Sequence, residues 1–181
     1  SRAEYRLLLR QDNADQRLTK IGHEIGLISD ERYDRLLMKI KCINEETERV
    51  SHVHVGTSDN VQDLLKKYES TPLNSGISLT ELIRRPELSY QALESIDKGR
   101  PEFPADLKEE IENQIDINIK YDGYIKRQLR QVEQFKKMEK RKIPEDIDYD
   151  AIQSLRIEAI QKLKEYRPVS IGQASRISGV S

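Results

Sequence analysis

The chain has 181 residues, of which 31 are Lys or Arg and 32 are Asp or Glu, so its formal net charge is only -1. Hydrophobic residues make up 36% and charged residues 35%, and the mean hydropathy is -0.76. This composition argues against a compact globule with a large core, and any affinity for nucleic acid or a membrane surface must come from local patches. Leu and Ile recur at helical spacing, however, which excludes the pattern of a disordered chain.

The cysteine content and the hydropathy pattern indicate the cellular compartment of the protein. The single cysteine, Cys42, excludes an internal disulfide and a cysteine-based zinc site, and it indicates a reducing compartment. No apolar run approaches a membrane span and no signal peptide opens the sequence, so we expect a cytoplasmic protein without membrane contact. The chain begins at Ser1 within a patterned stretch and stops at Ser181 after a turn signal, which predicts that it is part of a larger protein.

The first ten residues alternate as a strand does, although a helix remains an alternative. The apolar face would consist of Ala3, Tyr5, Leu7 and Leu9. Arg2, Arg6 and Arg10 share the opposite face of a strand, and because they are four apart they would also share a face of a helix. We therefore expect a basic face with either structure.

Helical periodicity follows. A first helix is expected from a cap at Asp12 or Asn13 to about Gly26, with Leu18, Ile21 and Ile25 directed inward. A second begins at Ser29 or Asp30 and ends near Val50. Residues 51–58 form a short β-branched connector, a third helix covers residues 61–68, and Ser78 caps a fourth that Pro86 stops.

The longest helix is expected from Pro104 or Ala105 toward Lys142, after a proline-rich linker at residues 99–104. Between Asp106 and Asp122 there are six acids and two bases, and between Lys126 and Lys142 there are eight bases and two acids. Gly123 is unfavourable in a helix interior by about 1 kcal/mol relative to Ala, so close packing or a kink is expected there. Two short helices at residues 149–166 and a last one capped by Ser170 complete the chain.

These elements predict an all-α or mostly α fold. It would be an elongated multi-helix assembly with one long helix and at most short β segments near the N-terminus and at residues 51–56. The expected domains are an N-terminal helical subdomain at 1–98, a linker and long helix at 99–142, and a small C-terminal helical subdomain at 143–181.

The known catalytic sequence motifs are absent. The eight glycines are scattered singly, so the sequence also contains no glycine-rich phosphate-binding loop. His52 and His54 could join His23 at a metal ion, but a half-exposed strand with Val53 and Val55 inward explains the same pattern without a metal. We interpret Cys42 as an inert small hydrophobic residue.

Two basic clusters indicate nucleic-acid binding more directly. In the first, Arg17 and Lys20 follow the three N-terminal arginines, and the planar guanidinium of arginine can bind phosphate oxygens with two hydrogen bonds. Lys126, Arg127 and Arg130 lie beside Tyr121 and Tyr124, and such mixtures of cations with aromatic rings are typical of RNA-binding surfaces. Salt bridges to the abundant acids are the alternative. The segment from Ser175 to Ser181 also has the spacing of the first helix and turn of a helix-turn-helix.

Five separated segments, in this order, carry a resemblance to a known family. They are SRAEYRLLLRQDNADQRLTKIGHEIGL, ELIRRPELSYQAL, YDGYIKRQ, IPEDIDYDAI and RPVSIGQASRISGVS. Together they resemble the C-terminal helical region of the MnmG/GidA family. The resemblance implies an enzyme that, with the GTPase MnmE, installs a carboxymethylaminomethyl or aminomethyl group on the wobble uridine of tRNA. It also implies FAD, NADH and a folate one-carbon donor, and a homodimeric parent, with the flavin domain and functional cysteines outside this chain.

The resemblance also implies roles for individual residues. Arg2, Arg6, Arg10, Arg17, Lys126, Arg127 and Arg130 are candidate tRNA contacts. Tyr121, Gly123, Tyr124, Gln128, Arg167, Gln173, Ser175 and Arg176 are candidates for docking of tRNA or of the partner GTPase. No residue is expected to be catalytic, to bind a cofactor or to bind a metal. The alternatives are a DNA-binding helical protein with a truncated helix-turn-helix and a helical oligomerisation scaffold.

Overall fold

The computed structural model of the chain describes residues 5–180, and its secondary structure is mostly helical. In chain order the α-helices are α1 (Ala14–Glu24), α2 (Asp30–His52), α3 (Asp59–Lys67), α4 (Leu79–Ile83), α5 (Lys108–Lys140), α6 (Ile157–Tyr166) and α7 (Ile171–Ser175). Two 3-10 helices cover Gln91–Leu93 and Tyr149–Ala151. The predicted mostly α class and the single long helix are confirmed.

Within residues 5–180 the β structure consists of two strands of two residues each and one isolated bridge. Strand β1 (His54–Val55) pairs antiparallel with β2 (Ile77–Ser78), with His54 opposite Ser78. This confirms a short β segment within residues 51–56. The strand predicted near the N-terminus is wrong for residues 5–9, which form turns closed by hydrogen bonds from the Leu8 and Leu9 amides to the Tyr5 carbonyl. Residues 1–4, including Arg2 and Ala3, lie outside the described residues.

Serine side chains begin several helices, as the sequence indicates. The Ser29 hydroxyl accepts from the Arg32 amide at α2, and the Ser170 hydroxyl accepts from the Gln173 amide at α7. At α4, Ser78 and Glu81 form a reciprocal capping box. Each cap satisfies amide groups that the first helical turn leaves without a partner.

Two compact units divide the chain, the first extending to Ile125 and the second beginning at Lys126. In the first unit, α2, α3, α4 and the first part of α5 enclose an apolar core. Its fully buried members include Val50, Leu65, Leu82, Ile83, Ile111 and Ile115. Each such side chain contributes roughly 1.5–3 kcal/mol relative to an exposed one. The domain boundaries expected near residues 98 and 142 stay a prediction.

The second unit has a much smaller core. Tyr149, Leu163 and Ala174 are buried, and partly buried residues such as Ile143 and Ile160 pack against them. An isolated bridge pairs Lys142 with Ser170 and ties the segment after α5 to the start of α7.

Candidate nucleic-acid interface

The described N-terminal arginines differ in their surroundings, because one is exposed to solvent and two make hydrogen bonds within the chain. Arg6 is exposed, whereas Arg10 donates to Asp12, at 3.0 Å from Nε to Oδ1, and to the Leu7 carbonyl. Arg17 donates to Asn13 Oδ1 at 2.9 Å and to the Arg10 carbonyl at 3.1 Å. Arg10 and Arg17 therefore hold the turn before α1, which the sequence did not predict.

Tyr121, Gly123 and Tyr124 lie on the part of α5 that belongs to the first unit, and all three are exposed. Nothing lies within 4 Å of a Cβ placed at Gly123, and α5 runs unbroken through this residue. The expectation of close packing at Gly123 is therefore wrong for the part of the chain that the structure describes. Exposed aromatic faces of this kind are suited to stacking on unpaired bases.

The basic part of α5 and the residues directly after it lie in the second unit. All eight cationic side chains at residues 126–142 are exposed, namely Lys126, Arg127, Arg130, Lys136, Lys137, Lys140, Arg141 and Lys142. Lys126, Arg130 and Lys137 fall near one side of the helix because of their spacing, and Glu133 lies on the same side. Gln128 is half-buried and its Oε1 has no hydrogen-bond partner.

Sequence reasoning singled out Lys126, Arg127 and Arg130 but not Lys136, Lys137 and Lys140. The count of eight bases against two acids was the signal that could have identified them. The segment at residues 126–142 has few acids and eight exposed cations, so it concentrates positive potential locally although the whole chain is nearly neutral.

The candidates in the last segment have local structural roles. Gln173 accepts from the Val169 amide at 2.8 Å, and the Ser175 hydroxyl donates to the Gly172 carbonyl at 2.8 Å. The guanidinium of Arg167 lies 5.8 Å from the ring of Tyr149. These contacts are compatible with docking because Arg167 and Gln173 are both exposed.

Arg176 belongs to a cluster around Glu139. It pairs with this carboxylate and lies 5.3 Å from the Phe135 ring, and the Ser170 hydroxyl donates to Glu139 at 3.0 Å. A Cβ at Gly172 would lie 2.9 Å from the backbone nitrogen of Glu139. Helix α7 therefore approaches this part of α5 as closely as a glycine allows.

The first unit contains a buried charged cluster. Arg49 donates to Glu46, at 2.7 Å from Nε to Oε2, and to Asp97, at 3.0 Å from Nη1 to Oδ1. The Tyr90 hydroxyl donates to Glu46 at 2.7 Å, and Arg100 lies 3.7 Å from the Tyr90 ring. Burial, together with the bond to Glu46, raises the pKa of Tyr90, and the two carboxylates raise the pKa of Arg49. Such a fully paired network is suited to holding α2 against the segment at residues 90–97.

A second charged cluster opens to solvent. Lys39 donates to Asp15 at 2.8 Å and to Glu110 at 2.7 Å, linking α1, α2 and α5 beside a cavity of about 710 Å³. Burial opposes the charge on Lys39, but the two hydrogen-bonded carboxylates outweigh it and raise the pKa of this lysine. The cavity lining carries more acids than bases, which disfavours a phosphate there.

The histidines do not meet at a metal site. His23 stacks on Tyr33, with ring centroids 4.4 Å apart, and bonds to Asp30, whereas His54 contacts the His52 carbonyl. Within residues 5–180, no three His, Cys, Asp or Glu side chains are placed to hold a metal ion. In the same range, every helix is either too short or too polar to cross a membrane.

Comparison with known proteins gives the family. A family model described as "tRNA modifying enzyme MnmG/GidA C-terminal helical domain" matches residues 30–129, and one described as the "C-terminal helical bundle" of the same enzyme matches residues 131–181. Relatives from Lachnoclostridium phytofermentans and Caldicellulosiruptor saccharolyticus are 60% and 58% identical over the whole chain. Both are named "tRNA uridine 5-carboxymethylaminomethyl modification enzyme MnmG".

Solved structures agree with this result. Aquifex aeolicus GidA is 33% identical, with a TM-score of 0.65, and the match covers 100% of this chain and 27% of that one. The chain likewise spans 28% of the length of the two bacterial relatives. The chain belongs to the MnmG/GidA family and corresponds to its C-terminal helical region.

Proposed function

We propose that this chain is the tRNA-docking and partner-docking region of an enzyme that modifies the wobble uridine of tRNA. The relatives carry the name of a tRNA uridine modification enzyme, which supplies the substrate class. The observation that carries the docking role is the row of exposed cations from Lys126 to Lys142 in the second unit.

These cations have the chemistry that tRNA requires. Lys and Arg side chains in solvent neutralise phosphates and release counterions, and this supplies much of the affinity of proteins for nucleic acid. Arg127, Arg130 and Arg141 can also bind phosphate oxygens with two hydrogen bonds each. We assign the first contacts with tRNA to this segment, with Arg6 as a separate phosphate contact in the first unit.

Docking of a partner is assigned to the last segment. Arg167, Gln173 and Arg176 are exposed, and their backbone is fixed by the α6 terminus and by the Glu139 cluster. A rigid polar surface is suited to a protein partner because little ordering is needed on binding. The proposed partner is an MnmE-type GTPase, and the complete enzyme is proposed to be a homodimer that works in the cytoplasm.

The redox cofactors proposed for the complete enzyme are FAD and NADH, with a folate one-carbon donor. The described residues 5–180 do not fit a dinucleotide site, because their two-residue strands cannot form the parallel sheet whose edge binds such cofactors. We therefore assign no step of the chemistry to residues of this chain.

The test is binding to unmodified tRNA at two salt concentrations with duplex DNA as competitor. The variant Lys126→Ala/Arg130→Ala/Lys137→Ala should bind at least tenfold more weakly at low salt. The matched control is Lys41→Ala/Lys66→Ala/Lys98→Ala, which removes three exposed lysines of the first unit and should bind normally.

Two outcomes would contradict the proposal. Equal competition by duplex DNA would favour a DNA-binding protein, since tRNA offers unpaired bases and A-form geometry that duplex DNA lacks. Self-association without salt-sensitive tRNA binding would favour a helical oligomerisation scaffold. Co-purification with an MnmE-type GTPase, lost on Arg167→Ala/Gln173→Ala, tests the partner role separately.

A further inference from the structure

Helix α1 packs on the rest of the first unit through its polar side. Asp15 bonds to Lys39 of α2, and His23 stacks on Tyr33 of the same helix. Between them, Gly22 approaches Ile28 so closely that a Cβ would lie 2.8 Å from its Cγ1. The contacts of α1 with α2 and with the loop before α2 are therefore made by charged, small and aromatic polar residues.

The apolar stripe of α1 points away from this contact. Ala14, Leu18, Ile21 and Ile25 follow the i, i+4, i+7, i+11 spacing of one helix face. Leu18, Ile21 and Ile25 are 56%, 54% and 65% exposed, and Leu27 beyond the helix is 78% exposed. This arrangement makes α1 unusual, because a surface helix normally turns its apolar stripe toward the core. Contiguous exposed apolar side chains of this kind mark an interaction surface.

We infer that this α1 stripe docks onto the part of the full-length protein that precedes the matched region, meaning the 181 residues over which the relatives match this chain. The relatives are more than three times longer than this chain, which spans 28% of their length. Both family models describe C-terminal segments, so most of the additional length lies on the N-terminal side. Among the described residues α1 is the first helix, so it is the helix nearest in sequence to that N-terminal part.

The size of the stripe separates this occupant from a second copy of the chain. A stable interface between free proteins buries about 800 Å² per partner and involves roughly 20–30 residues a side. Four large side chains on and directly after one short helix are far fewer than that. A contact within one chain requires less area, because the covalent connection gives an effective concentration in the millimolar range.

Photo-cross-linking in the full-length protein tests the inference. The residue p-benzoylphenylalanine would replace Ile25 in one variant and Lys20 in another, since Lys20 is an exposed position of α1 outside the stripe. Irradiation should link position 25 to peptides from the N-terminal part with a yield at least tenfold above that of position 20. The product should keep the mass of a single chain on a denaturing gel.

Three results would overturn the inference. They are a yield at position 25 no higher than at position 20, links confined to the matched region, and a product with the mass of two chains, which would identify a second copy as the occupant. Leu18 replaced in the same way gives an independent site on the stripe and must behave as Ile25 does. Activity does not enter the measurement, so failure of this inference leaves the proposed tRNA role unaffected.

Discussion

The two units of the chain are stabilised in different ways. The first encloses an apolar core with a paired charge cluster inside it, whereas the second has a small core around Tyr149 and Leu163 and depends on close contacts around Glu139. The difference follows from α5, because Ile111, Ile115 and Ile119 are buried and none of the described residues 120–140 is. The cations of this segment are exposed, whereas Phe135 and Glu139 on the same segment contact α7 and the residue that follows it.

The largest expected effect is in the first unit. Arg49→Met would leave Glu46 and Asp97, whose side chains are 1% and 4% exposed, without their counter-charge. We expect the free energy of unfolding to fall by about 3–5 kcal/mol, measured by urea denaturation. The matched control is Arg35→Met on the same helix, since Arg35 pairs with Asp106 in solvent and should lose less than about 1 kcal/mol. Equal losses would show that the cluster is not what stabilises the first unit.

The next effect belongs to the second unit. Gly172→Ala would force α7 away from Glu139 and should destabilise this unit by about 1–3 kcal/mol, as overpacking does. Hydrogen exchange resolved by residue is the measurement, with faster exchange expected in residues 126–180 and little change in the first unit. Gly56→Ala, where nothing lies within 4 Å, is the control. Unchanged exchange in α7 would exclude the close contact.

Gly123→Ala should act in the opposite direction. The position is exposed and helical, so the substitution should stabilise the chain by roughly 0.5–1 kcal/mol in thermal unfolding. If a ligand backbone approaches this glycine, affinity for tRNA or for the partner should fall while stability rises. A gain in stability with unchanged affinity would remove Gly123 from the docking candidates.

The smallest effect is pH-dependent. The Ser78 amide and hydroxyl donate to Glu81 and lower the pKa of this carboxyl below its ordinary value of 4.5. A lowered pKa in the folded state gives stability that is present above pH 4.5 and lost as the pH falls through the folded value. Glu81→Gln should therefore be less stable than the parent at pH 7, with the difference shrinking below pH 4.5. A constant difference across this range would rule out the linkage.

The parts of the fold that could be predicted from the sequence are those with local signals. Caps at Ser29, Ser78 and Ser170 and the periodicity of α5 depend on residues close together in the chain. The prediction that Leu18, Ile21 and Ile25 of α1 are directed inward is wrong, because all three side chains are more than half exposed. Their spacing shows that an apolar face exists but not what covers it. The outcome depends on Asp15 meeting Lys39, 24 positions away.

The candidate interface likewise has a part that the sequence predicts and a part that it does not. Exposure of the cations between Lys126 and Lys142 follows from the local excess of bases over acids, and the sequence indicates it. The hydrogen bonds from Arg10 to Asp12 and from Arg17 to Asn13 depend on the turn geometry before α1, whereas the alternation predicted a strand up to Arg10. Alternation of apolar residues does not distinguish such turns from an extended chain.

The most direct test of the tRNA-docking proposal is the salt dependence of tRNA binding. The logarithm of the association constant should fall linearly with the logarithm of salt concentration, by roughly 0.7–0.9 for each phosphate neutralised. Lys126→Ala/Arg130→Ala/Lys137→Ala should reduce the magnitude of this slope by about two to three, whereas Lys41→Ala/Lys66→Ala/Lys98→Ala should leave it unchanged. An unchanged slope in the first variant would contradict the assignment of this segment to tRNA.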